Sequence, residues 1–162
     1  MKVRDATEGD LPGLLAIYNE VIAHSTAVFS DQPATLDDRR AWFAQRAAAG
    51  YPVLVAEDAH GVAGFASFGD FRSWPGYRHT VEHSIHVRKD VRRSGVGRLL
   101  LEPLIARAAA LDKHMLLAGI DGENAASIAF HLRFGFVEAG RLREVGRKFG
   151  RYIDLVFLQR AL

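Results

Sequence analysis

The spacing of apolar residues changes several times along the chain, and each change marks an element. Lys2-Val3-Arg4 alternates as a short strand. Leu11, Leu14, Leu15, Tyr18 and Ile22 then recur three and four apart, the period of a helix with one buried face, which Thr7 or Asp10 can cap. The period breaks over residues 23–33, a polar and aromatic loop holding Phe29. Thr35 with Asp38 three positions on makes a capping box for a helix over 36–49, closed by Gly50. A period of two follows: 52–57 and 62–69 predict two strands of a hairpin turned at His60-Gly61. Residues 71–78 form a loop, and 80–87 alternates as a strand. Val81, His83, Ile85 and Val87 share one side of it, and Glu82, Ser84 and His86 the other. A basic, glycine-containing turn over 88–97 leads into an apolar helix over 99–111, then a strand over 114–120 and a helix over 124–134 that Gly135 ends. Two strands, 136–142 and 152–158, close the chain, with a long hairpin loop expected between them. The order predicts one domain, residues 1–162, in the α/β (α+β) class: a mixed sheet with helices on both faces.

Composition narrows the picture without changing it. The chain has 162 residues, enough for a core that buries roughly 70% of the surface its unfolded form exposes. It has no cysteine, which excludes a disulfide framework, a thiolate zinc site and a cysteine nucleophile together. The seven histidines are not paired at ligand spacing, so no metal is expected. The N-terminus lacks a basic segment followed by an apolar run, and no stretch reaches the ~18 apolar residues of a membrane span. A cytoplasmic protein away from the membrane is therefore expected. The formal net charge is +2, with acids and bases interleaved except over 88–98 and 141–151. Nucleic-acid binding fits this poorly, since the chain has no RNA-binding or helix-turn-helix signature.

The candidate chemistry starts at Val87-Arg88-Lys89-Asp90-Val91-Arg92-Arg93-Ser94-Gly95-Val96-Gly97-Arg98-Leu99-Leu100. A strand ends, a glycine-rich turn follows and a helix begins. The first amides of that helix lack internal partners and sit at the positive end of its dipole, a site suited to a diphosphate. Gly95 and Gly97 let the backbone approach a ligand, and Arg92, Arg93 and Arg98 add charge. A plain basic turn is the alternative. The stretch lacks the full dinucleotide fingerprint and the lysine-serine/threonine ending of a triphosphate loop. On the acceptor side, Glu82 is either a base on a strand face turned to a closed cleft or an ordinary exposed glutamate. Phe29, Phe71, Arg72, Ser73, Trp74 and Tyr77 are either a pocket for a small carboxylate-bearing acceptor or aromatic packing in a surface loop.

The turn resembles the coenzyme A loop of the GNAT N-acetyltransferases, Gln/Arg-x-x-Gly-x-Gly/Ala, through Arg92, Gly95 and Gly97. The run from Asn124 through Ser127 to Phe130-His131, with Gly135-Phe136 after it, resembles that family's second segment. More narrowly, the Phe29 loop, Phe71-Arg72-Ser73-Trp74-Pro75-Gly76-Tyr77 and the strand from Thr80 to Val87 resemble the phosphinothricin and methionine sulfoximine/sulfone N-acetyltransferases. The resemblance implies the GNAT fold and acetyl-CoA as co-substrate, held by backbone groups of Ile85, His86 and Val87, by the loop from Arg92 through Ser94 and Val96 to Arg98, and by Asn124 and Ser127. It implies Glu82 as base and the Val87 amide as donor to the thioester oxygen. His131 stands where the family often has a tyrosine thought to protonate the leaving thiolate; it either takes that role or only packs against the cofactor. The implied acceptor is a small amino acid analogue with a tetrahedral γ-sulfur or γ-phosphorus. The implied assembly is a homodimer with the acceptor site near the interface; separately, the long loop Arg143 to Tyr152, with Lys148 and Phe149, is a candidate to complete the partner's pocket. Another amine acceptor (a protein N-terminus, a polyamine, an aminoglycoside) or a non-catalytic acyl-coenzyme A sensor are the alternatives.

Overall fold

Two apolar faces of one sheet organise the structure, a computed structural model that describes residues 1–162. Strands β1 (Lys2–Asp5), β2 (Val53–Asp58), β3 (Gly61–Asp70), β4 (Thr80–Val87), β5 (Met115–Asp121), β6 (Val137–Lys148) and β7 (Arg151–Ala161) lie in the order β1-β2-β3-β4-β5-β7-β6. All neighbours are antiparallel except β4 and β5, which the crossover helix α3 (Val96–Ala110) joins in parallel. On the α3 face, Leu100, Leu101, Leu104 and Ala108 pack with Val81, Leu116, Ala118, Val156 and Leu158, and α4 (Ala125–Arg133) lies at that cluster's margin. On the other face, Leu11, Leu14 and Ile17 of α1 (Leu11–His24) meet Val53, Val55 and Phe65. Each leucine so buried contributes roughly 1.5–3 kcal/mol.

The second helix, α2 (Leu36–Ala48), buries no residue fully. Its start is the predicted capping box: Thr35 N donates to Asp38 Oδ2 at 2.7 Å, and Asp38 N to Thr35 Oγ1 at 3.1 Å. Trp42 anchors it edge-on to Phe65, with ring centroids 6.1 Å apart.

The long loop expected between the last two strands does not exist. Strands β6 and β7 run on to a tight turn at Phe149-Gly150, where φ is +52° and +75°. Two residues with positive φ make the turn whose twist suits a hairpin. The strand was hidden because β6 is an outer strand with both sides largely in solvent, so Arg141, Arg143 and Arg147 replace the alternation. Its pairing shifts register between Leu142 and Gly146, where Glu144 adopts φ +54° and its amide donates to Asp154 at 2.9 Å.

The one parallel pairing is short. β4 and β5 are in register only at Thr80–Met115, Val81–Leu116 and Glu82–Leu117, after which they part. His83 and His86 sit near this parting, both about 8% exposed. His83 faces His131 and Phe136 under α4, and His86 faces Tyr18 and Phe65 under α1. Burial pulls their pKa values down, to about 3 and about 4.

These depressed values predict acid sensitivity. Below about pH 6.5 the unfolded chain binds protons that the folded one refuses. The stability tied to each histidine is therefore complete above pH 6.5 and is lost as pH falls towards its folded pKa, by up to ~1.4 kcal/mol per pH unit for each ring. The urea midpoint should drop clearly between pH 7.5 and 5.0, a range in which Asp10, held near 2 mainly by its Arg4 hydrogen bond, stays charged. An unchanged midpoint refutes this account.

Candidate active site

The parting of β4 from β5 opens a cleft of about 1490 Å³ on the α3 face. Its walls include Ile85 and Val87 of β4, Arg92, Arg93, Gly95, Gly97 and Arg98 of the turn and α3, and Ser127, Phe130 and His131 of α4. At its α3 end Gly95 takes φ +91°, a conformation that a side chain resists, and turns the chain into the helix. The amides of Val96, Gly97 and Arg98 find no acceptor, so three donors converge at the positive end of a 15-residue helix. Gly97 faces Phe130 so closely that a Cβ would lie 3.3 Å from the ring.

The exposed edge of β4 supplies a second row of donors and acceptors. Arg88 N donates to Ala63 O and Phe71 N to Thr80 O, so the even-numbered residues of β4 turn their main-chain groups towards β3. Alternation then directs those of Ile85 and Val87 to the edge that β5 has left. The Val87 carbonyl accepts from Arg92 Nε at 3.0 Å, while Ile85 keeps both groups free for a ligand with amides of its own. Diphosphate at the helix start and an amide-bearing arm along the strand are what coenzyme A offers, and these residues fit it.

Several of the expected contact residues turn their side chains elsewhere. His86 turns its backbone to β3 and its side chain to Tyr18 and Phe65, away from the cleft. Ser94 spends its hydroxyl on Val91 O at 2.6 Å, and the Val96 side chain belongs to the core, leaving only its amide available. Asn124 does not line the cleft; it caps α4 by accepting from Ser127 N at 3.0 Å. Arg92 is paired with Glu20, while Arg93 has no ion pair. His131 does line the cleft, but Nδ1 lies 2.7 Å from Ser127 O. A carbonyl can only accept, so Nδ1 carries the hydrogen and Nε2 of the neutral ring is a bare acceptor. Burial lowers this pKa too. Near neutral pH the ring is thus in the wrong state to give a proton to a thiolate.

On the opposite face of the sheet, Glu82 forms no ion pair, and burial raises its pKa. Its carboxylate lies over Gly119, where any Cβ would come within 2.7 Å of Oε1, and Leu155 and Phe157 flank the same spot. Phe71 meets Phe157 and Tyr77 edge-on at 6.1 and 5.9 Å, and Arg72 stacks on Phe71 at 5.2 Å with no acid paired to it. Ser73 and Trp74 remain exposed outside this cluster, Trp74 at 74%. Phe29 lies farther along the hairpin, against Gly146. Sequence reasoning missed Gly119, Leu155, Phe157 and Phe130, which only strand register and helix packing bring to the site. No group of His, Asp and Glu side chains is placed to hold a metal ion, and no helix is long and apolar enough to cross a membrane.

Comparison with known proteins agrees with this geometry. The acetyltransferase (GNAT) family model matches residues 14–136. The chain is 51% identical to an L-methionine sulfoximine/L-methionine sulfone acetyltransferase of Pseudomonas aeruginosa, over 97% of this chain and 92% of that protein. Phosphinothricin N-acetyltransferases are also among its relatives. The fold superposes with a TM-score of 0.98 on a ribosomal-protein-alanine N-acetyltransferase from Brucella melitensis (46% identity, the whole of both chains). For yncA, a putative acetyltransferase from Salmonella typhimurium solved with acetyl-CoA, the TM-score is 0.96 (43% identity, 99% of this chain and 93% of that one).

Filling the cleft tests the cofactor site. Gly97→Val pushes methyl groups towards Phe130 and into the cleft, and should weaken coenzyme A binding by about tenfold or more in calorimetry, or at least ~1.4 kcal/mol. Unchanged affinity would place the cofactor elsewhere.

Proposed function

The chain belongs to the GNAT acetyltransferase family, and from that premise we propose that it acetylates the α-amino group of a small amino acid analogue of the methionine sulfoximine, methionine sulfone or phosphinothricin type. It is an acetyl-CoA-dependent N-acetyltransferase. The observation that carries the finer reading is the unpaired Glu82 carboxylate at the last β4–β5 pair, on the opposite sheet face from the cofactor cleft and at the opening between them. When bound, acetyl-CoA supplies a thioester-activated acetyl group. The chain has no cysteine, which removes the commonest covalent carrier, and the transfer in this reading is direct, with both substrates present.

An amine attacks only when unprotonated, so the site needs a base. Glu82, raised by burial and free of cations, takes that proton directly or through one water. Oxygen of the thioester gathers charge during attack and needs a fixed donor. At ~3.3 Å per residue, the Val87 amide stands about 16 Å along the strand from Glu82 and the Ile85 amide about 10 Å. Ile85 therefore suits this role better than Val87, which stays with the cofactor's arm. His131, with Nδ1 given to Ser127 O and Nε2 buried beside His83 and Phe136, packs against the cofactor instead of donating a proton. The unpaired Arg72 grips the acceptor's carboxylate, and Phe71, Phe157 and Tyr77 cover its side chain. A free guanidinium argues against polyamines and aminoglycosides.

A homodimer is part of the same proposal. The outer strand β6 has an unpaired edge and carries Val137, Leu142 and Val145, each about half exposed, with Phe149 and Tyr152 at the hairpin end. Light scattering should give twice the 17.9 kDa chain mass, and a monomer at all concentrations removes the dimer from this reading.

Glu82→Gln should lower kcat by ~10²-fold or more while coenzyme A affinity holds, and should abolish the rise of kcat with pH that a carboxylate base produces. Near-normal turnover rejects Glu82 as base. In an acceptor panel read by thiol release, methionine sulfone should react and polyamines should not; the reverse result overturns the acceptor.

A further inference from the structure

Lys148, the last residue of β6, is 2% exposed and has no carboxylate partner. Its Nζ donates to the main-chain oxygens of Ser25 at 2.6 Å and Val28 at 2.8 Å, with the Phe149 ring 5.0 Å away. Ser25 caps the C-terminal end of α1, and Val28 precedes Phe29. A buried ammonium with no carboxylate in contact is unfavourable, and burial lowers its pKa against a weaker opposing pull from Asp31. An apolar residue would suit packing alone, so the cation is here for what it holds. It does not reach out to a partner subunit's pocket, as the sequence suggested.

Two more contacts hold the same segment. The Thr26 hydroxyl donates to the buried Asp121 carboxylate. The Phe29 ring fills the space over Gly146, where a Cβ would lie 2.5 Å from Cε2. In the register of the sheet, Gly146 is opposite Ile153, Asp121 opposite Leu155 and Gly119 opposite Phe157. Residues two apart on a strand share a face. Lys148 is opposite Arg151, so all three attachment points (Lys148, Asp121 and Gly146) lie on the face that carries Glu82 over Gly119, along one line of β7. The segment lies on the sheet face that carries the aromatic cluster and sets Phe29 farther along β7, over Gly146.

We propose that Lys148 is a positioning residue for the acceptor: its ammonium straps residues 25–28 to the hairpin so that Phe29 stands as the outer wall of the acceptor pocket. This rests on the acetyl-transfer reading of the Glu82 pocket. Ser25 O and Val28 O diverge from one point, and a single ammonium with three donors can satisfy both at once. Removing it leaves two carbonyls without their donor and releases the segment between Ser25 and Phe29. The cofactor cleft lies across the sheet and shares none of these residues.

The test compares wild type with Lys148→Met and, independently, Gly146→Ala, which displaces the Phe29 ring and keeps the ammonium. With methionine sulfone as acceptor, both variants should raise the acceptor KM by about tenfold while the acetyl-CoA KM moves less than about twofold. Hydrogen exchange should quicken over residues 25–30 in Lys148→Met and stay unchanged in β4 and α3. If wild type acetylates methionine sulfone and neither variant changes the acceptor KM, the proposal is overturned. Equal rises in both KM values with faster exchange across the sheet overturn it too, by making Lys148 a general stability residue. Should Lys148→Met fail to fold, Gly146→Ala decides through its KM split. If wild type acetylates no small amino acid, the acceptor reading has failed, and unchanged exchange over 25–30 would sink the strap separately.

Discussion

The parting of β4 from β5 after the Glu82–Leu117 pair is the constraint on which the rest depends. A sheet normally satisfies every main-chain group of an inner strand. Here the outer half of β4 is left with one free edge, on which the main-chain groups of Ile85 are unpaired. The same opening connects the two faces of the sheet. Coenzyme A fits the α3 side, the aromatic cluster with Glu82 lies on the α1 side, and the gap is where the two can meet. The strand pair is held closed by a tight core on one side, Val81, Leu116 and Ala118 under α3, so the opening has a fixed starting point.

Formal charge plays a smaller part at the cofactor end than the arginine-rich turn suggests. Arg88 is tied to Asp58 and Asp90, Arg92 to Glu20 and Arg98 to Glu102. Arg93 alone of these has no ion pair. The three free amides at the start of α3 are therefore the main preorganised donors, and the arginines shape the rim. On the acceptor side the logic is inverted: Glu82 and Arg72 each stand without an ion-pair partner and are left free for a ligand, while Lys148 spends its ammonium on two main-chain carbonyls.

Much of this was legible in the residues. The capping box at Thr35, the β2–β3 hairpin and the strand–turn–helix from Val87 to Leu100 follow from local rules, and the structure reproduces them. Alternation along β4 put Glu82 and His83 on opposite faces correctly. Three things were out of reach. Strand β6 carries too many charges to alternate, because it is an outer strand. The backbone direction of His86 depends on which strand pairs with β4, a long-range fact. The bare Nε2 of His131 depends on a carbonyl one turn back along α4, and no pattern of residue types reveals a tautomer.

Strand β7 is the final 11-residue strand of the chain, yet it lies inside the sheet, between β5 and β6. Because β7 follows β1 to β6 in chain order, it leaves the ribosome after all of them. Until it emerges, β5 has no outer neighbour, β6 has nothing to pair with, and the floor under Phe71 is missing. Completion of the sheet thus waits for β7, and a nascent chain stalled short of it would present the open edge of β5 to chaperones.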